Sequence, residues 1–215
     1  YRGILQHRLF VTTFLRKQIL ERGLDQPLGL GRIWRIAPRG RRLDPIPDLS
    51  AMTDGGLVRR LVHPDGAVRL LAQQVLVERG STDTADALRS LLRHETWTAR
   101  LHALWTLEGL DALSQEDALV VLNDPHPALR AAALRLLEPW LDEPQVLEAM
   151  RGLLGEQDRG VQLQLAASLG EAHGGDAMAV LATASRAWAA DAVLREAVVS
   201  GLAGRESRFI DVLTS

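Results

Sequence analysis

The 215-residue sequence predicts an all-α fold, a solenoid of about five stacked helical pairs preceded by a short helix-plus-strand segment. An internal repeat carries most of that expectation. Arg69, Arg100, Arg130, Gln162 and Arg195 stand in five similar segments, spaced 31, 30, 32 and 33 residues apart. Seven residues after each stands a leucine: Leu76, Leu107, Leu137, Leu169 and Leu202. Repetition at such a period marks units that stack. Composition agrees. With 47% hydrophobic and 24% charged residues the chain is an ordinary folded protein, neither disordered nor collagen-like. No stretch approaches the roughly 20 apolar residues of a membrane helix. The absence of cysteine excludes a disulfide framework, a zinc-thiolate site, a thiol nucleophile and a Cys-x-x-Cys-His haem attachment within the segment.

The elements follow in chain order. The start, Tyr1-Arg2-Gly3-Ile4-Leu5-Gln6-His7, has no methionine, basic n-region or apolar h-region. Phe14, Leu15, Ile19 and Leu20 lie at helical spacing between Thr12 and Arg22, and Gly23 supplies the stop. Ile33, Trp34 and Ile36 suit a short strand over 31–36. Residues 38–50, with Pro38, Pro45, Pro47 and several arginines, read as a linker. This divides the chain into 1–37, the linker 38–50, and the repeat domain 51–215. Charge divides it as well: residues 1–50 carry +6 and residues 51–215 carry −8.

Each repeat reads as two helices. The shorter ones are expected near 55–62, 83–93, 115–122, 145–154 and 175–184. Polar turns such as His63-Pro64-Asp65-Gly66 and Asn123-Asp124-Pro125-His126-Pro127 follow, then longer helices holding the anchor residues. Ala72, Ala103 and Ala133, three residues after their anchors, permit close helix approach. One pair of this size cannot bury its own apolar face, so neighbours must stack. Glu206–Ser215 reads as the start of a further helix, and both ends of the chain read as cuts from something longer.

The period of about 31, the Val68-Arg69 start and the Ala/Leu pattern resemble short HEAT-like repeats over residues 54–205. A narrower likeness spans both halves. Tyr1–His7, Phe14-Leu15-Arg16, Glu21-Arg22-Gly23-Leu24 and Gly29-Leu30-Gly31-Arg32-Ile33-Trp34-Arg35-Ile36 resemble the closing segment of a bacterial β-propeller. Leu57-Val58-Arg59-Arg60-Leu61-Val62-His63-Pro64 and His102-Ala103-Leu104-Trp105-Thr106-Leu107-Glu108-Gly109-Leu110 fit the same pattern. The family is that of membrane-bound or secreted dehydrogenases similar to quinoprotein sugar dehydrogenases. There the propeller precedes HEAT-like repeats and often a cytochrome c domain. The resemblance implies a periplasmic or secreted parent protein using pyrroloquinoline quinone and haem c; without it, the chain would be cytoplasmic. It places the quinone and proton-abstracting residues in earlier blades and any haem beyond Ser215, so this segment is expected to hold no cofactor and no catalytic group.

The remaining candidates are weighed by their chemistry. His63, His94 and His126 recur in the turns at about the repeat period, roughly 10 Å apart along one edge. One metal ion needs ligands about 2.0–2.1 Å away, so these histidines read as turn caps. His94-Glu95 is one dipeptide where a HEAT-like di-iron hydroxylase needs several. Arg69, Arg100, Arg130 and Arg195 read as an inter-repeat ladder to turn carboxylates such as Asp65, Asp124 or Asp158, as exposed pairs worth at most ~1 kcal/mol each. The −8 balance opposes an anion-binding groove. Trp34, Trp97, Trp105, Trp140 and Trp188 read first as packing residues and second as partner contacts. Arg32, Arg35, Arg39, Arg41 and Arg42 read as a solvated or intramolecularly paired cluster. Serine-triad, phosphate-loop and paired-carboxylate signals do not appear, and Gly29-Leu30-Gly31 precedes a strand, unlike a dinucleotide fingerprint.

The reading is therefore a non-catalytic interaction scaffold, with second helices on the concave face. Gln73, His102, Trp105 and Arg135 are its candidate partner-binding residues. The expected partner is protein, chiefly other domains of the same polypeptide. The alternatives are a piece of an intact quinone-dependent sugar or alcohol dehydrogenase, and a free-standing nucleic-acid-binding HEAT-like protein.

Overall fold

A computed structural model describes residues 11–25, 39–40, 47–172 and 174–214. The chain forms two compact units, Tyr1–Pro47 and Asp48–Ser215. The first contains α1 (Thr13–Glu21), where a helix was expected. The Thr12 hydroxyl accepts from the Leu15 amide at its start. At its end Gly23 adopts φ +61°. This left-handed turn lets Gly23 and Leu24 donate back to the Leu20 and Ile19 carbonyls. The strand expected over 31–36, with Trp34, lies outside the described residues, as do Arg32, Arg35, Arg41 and Arg42.

The second unit is helical throughout its described residues. Its pairs are α2 (Asp54–Arg60) with α3 (Gly66–Arg79), α4 (Ala85–Leu91) with α5 (Trp97–Gly109), and α6 (Gln115–Val121) with α7 (Pro127–Leu136). Then come α8 (Pro144–Arg151) with α9 (Arg159–Glu171), α10 (Gly175–Ala187) with α11 (Ala192–Ser200), and finally α12 (Glu206–Thr214). The helix starts follow from local chemistry. Thr53, Asp65, Ser114, Asp158 and Asp191 each accept a backbone N–H of the first turn, and Pro127 and Pro144 occupy first helical positions. Ser114 and Asp117 form a reciprocal capping box.

The second helices pack side by side in the order α3, α5, α7, α9, α11. The first helices flank them, with α10 touching both α8 and α12. The repeat leucines are the reason. Leu76, Leu107 and Leu137 are 0% exposed, Leu169 1% and Leu202 4%. Ala72, Ala103 and Ala133 are fully buried where neighbouring helices approach. A close backbone approach joins α9 to the turn after α11: a Cβ on Gly170 would lie 2.8 Å from the Gly201 Cα. No side chain fits between those backbones. Arg205 donates to the carbonyls of Ala172, Gly170 and Gly201 and so closes the ends of both helices.

Candidate protein-interaction surface

The turns that open the second helices form one edge of the repeat unit. The five anchor residues all make the same bond: each donates to the carbonyl six residues before it. Arg69 reaches His63 at 2.6 Å, Arg100 reaches His94 at 2.7 Å, and Arg130 reaches Asp124 at 2.9 Å. Gln162 reaches Glu156 at 2.7 Å, and Arg195 reaches Ala189 at 2.5 Å. Two anchors also reach forward into the next repeat. Arg100 grips Asp124 through Nε and Nη2 at 2.6 and 2.8 Å, and Arg130 Nε donates to Glu156 at 2.8 Å.

This ladder differs from the expected one in two respects. Asp65 and Asp158 are helix caps, accepting from Ala67 and Val161, and Glu156 is the rung instead. The rungs are also buried: the Arg100 and Asp124 side chains are 10% and 8% exposed. The 1 kcal/mol scale of exposed pairs therefore does not apply to them. Burial alone would raise the Asp124 carboxyl. The Arg100 hydrogen bonds and charge, with the His126 amide, outweigh it and hold the group below its ordinary value. Glu156 is lowered against its own burial by the Asp158 amide and Arg130.

The position six before each of the first four anchors has a second task. His63 Nδ1, His94 Nδ1, Asp124 Oδ1 and Glu156 Oε1 each accept the amide two residues on, at 2.8–3.0 Å. His63 and His94 are thus turn caps, with the ring proton on Nε2. His126 caps α7 through Nδ1, and the Trp97 ring stacks on it at 3.9 Å between centroids. A histidine cannot take the arginine rung as well. Arg69, facing His94 in the register, keeps a buried Nε with no hydrogen-bond partner among the described residues.

The four partner-binding candidates separate into two pairs. Gln73 on α3 and His102 on α5 are half-buried and bonded to each other at 2.7 Å, tying the two helices together. Burial, with the Arg69 charge nearby, pushes the His102 imidazole below its ordinary value. Trp105 and Arg135 meet elsewhere, in a cleft of about 540 Å³ at the ends of α5 and α7. Glu108, Asp111, Glu138 and Trp140 line it as well, with Leu113, Leu136 and Pro139. Trp105 and Trp140 are half-buried, whereas Trp188 is buried and Trp97 is 38% exposed. Arg135 pairs with Glu138, which also accepts from the buried Ser168 hydroxyl of α9 at 2.8 Å. Among the described residues, Glu108 and Asp111 make no side-chain ion pair, and the two indole N–H groups make no hydrogen bond.

Asp111, Glu138 and Glu156 are residues that sequence reasoning did not single out. The register carries a signal for two of them. Asp111 stands 31 residues after Gly80, in the same left-handed turn, with φ 52° against 62°. Glu156 stands 32 residues after Asp124. Among the described residues no group of three or more His, Cys, Asp or Glu is placed to hold a metal ion. No described helix is long and apolar enough to cross a membrane.

Residues 56–122, from α2 to the turn after α6, match the family model of HEAT repeats. No curated protein matches the chain in sequence. The helical pair found in the matched stretch recurs through the rest of the unit, and the fold is an α-solenoid of HEAT-like repeats.

Proposed function

We propose that the repeat unit is a non-catalytic scaffold that holds a protein partner against its second-helix layer. HEAT repeats generally mediate protein interactions. The observation that carries the reading here is the Trp105–Trp140 cleft, because tryptophan is among the residues richest in interface energy. Five residues after the anchors, Gln74, Trp105, Arg135, Ala167 and Ser200 are all exposed or half-buried, so this row stays open while the leucine row is closed.

The likeness of residues 1–36 to a propeller end supports a finer reading. In it the partner is a neighbouring domain of the same polypeptide, a propeller or cytochrome domain of a quinone-dependent dehydrogenase working in the periplasm or outside the cell. The scaffold would then set the distance between redox domains, and the quinone and haem would belong to those domains. A native polypeptide heavier than 23.6 kDa supports this version; one of that mass ends it.

Hydrogen exchange tests the scaffold itself. The native protein is compared with the 215-residue chain alone. Amides around 108–113 and 135–141 are expected to exchange more slowly in the native assembly, with α4 and α6 unchanged. Equal exchange everywhere, or protection confined to α4 and α6, would contradict the reading.

A further inference from the structure

We infer that the cleft between the ends of α5 and α7 receives an arginine side chain from an extended segment of the protein partner. The inference rests on the scaffold reading and names the chemistry of what it holds. Its volume of about 540 Å³ lies within the roughly 300–1,000 Å³ of sites that engulf a ligand group. Two half-buried indoles line it, and an indole face attracts a cation. Glu108 and Asp111 bring two carboxylates that no described cation neutralises, and Glu138 brings a third, held by Arg135. The cleft therefore carries a charge of −2 beside aromatic walls. A planar guanidinium suits that combination better than an ammonium, because it can lie on a ring and fork onto a carboxylate together. Arg135 already donates to the Glu138 carboxylate within the cleft itself. The open indole N–H groups can donate to the carbonyls of the incoming segment.

The chain also keeps an acid at a costly place. Asp111 sits in the left-handed turn that Gly80 occupies in the preceding pair, so glycine would fit it with less strain.

The probe is the peptide acetyl-Gly-Arg-Gly-Arg-Gly-amide, titrated into the full 215-residue chain with its tryptophan indoles labelled for NMR. Trp105→Phe and Trp140→Phe identify the two cleft signals. Saturable shifts are expected at those two indoles and not at the other three. Glu108→Gln and Asp111→Gly should each weaken binding about threefold, and Arg135→Ala should strengthen it by a similar factor. Asp111→Gly should at the same time raise the thermal midpoint, which separates lost binding from lost folding. Shifts spread over all five indoles, unchanged affinity in Glu108→Gln and Asp111→Gly, or equal binding of the same peptide with lysine in place of each arginine would overturn the inference. Hydrogen-exchange protection of this face without peptide binding would sink the arginine assignment and leave the scaffold standing; absence of both would sink both.

Discussion

Arg100 and Arg69 occupy the same position in successive repeats, yet their energetic roles differ. Arg100 spans its own turn and the buried Asp124 of the next repeat, whereas Arg69 holds only its own turn. Arg100→Met leaves a buried carboxylate without its cation and is expected to cost about 3–5 kcal/mol. Arg69→Met should cost clearly less, and urea denaturation of both variants measures the difference. The missing rung can be supplied. His94→Asp keeps an acceptor for the Thr96 amide, as Asp124 does for His126, and offers a carboxylate to the unpartnered Arg69 Nε. It should raise stability by about 1 kcal/mol, read as a higher thermal midpoint. A lower midpoint would refute the shared register of the two turns.

The same residues set the acid response. Asp124 and Glu156 have folded pKa values below their ordinary ones. The unfolded chain therefore binds these protons first as pH falls. Their stabilisation is complete above the ordinary carboxylate range, about pH 4, and is lost as pH falls through the lowered values. Stability should drop below about pH 4, and Arg100→Met/Arg130→Met should drop less steeply. An unchanged slope in that double variant would remove the rungs from the account.

Among the elements, the helical pairs were legible because one arginine and one leucine recur at a fixed separation in nearly every copy. The leucine row became the buried seam for a simple reason: seven residues are two helical turns, so anchor and leucine share a face. Rung and cap were not separable by composition. Both tasks draw acids into the same turn, and only the position six before the anchor distinguishes Glu156 from Asp158. Gly170 and Gly201 gave no sequence signal either, since their contact joins two repeats whose crossing no local pattern specifies. Gly170→Ala forces a methyl against the Gly201 backbone and is expected to cost about 1–3 kcal/mol by thermal or urea unfolding. Gly155→Ala, with nothing within 4 Å of its added Cβ, is the control.

For the molecule as a whole, the sequence announced a repeat unit and two of the residues that line its cleft, Trp105 and Arg135. It did not announce the cleft, because Asp111 in the turn after α5 and Trp140 in the short 3-10 helix Glu138–Trp140 reach it by a course that depends on how the helices stack. Gln73 and His102 were drawn inward by the same stacking and bond to each other. The two units divide at Pro47, within the proline- and arginine-rich stretch, and differ in charge: residues 1–47 carry +7 and residues 48–215 carry −9.

Photo-crosslinking in the native cell asks whether a protein partner is held on the second-helix layer. A benzophenone side chain replaces Gln74 or Arg135 on that layer, or Ser90 or Val120 on the first helices, all four being exposed positions. Defined polypeptide cross-links are expected from Gln74 and Arg135 and none from Ser90 and Val120. Cross-links of equal yield from both sets, or from Ser90 and Val120 alone, would contradict that placement.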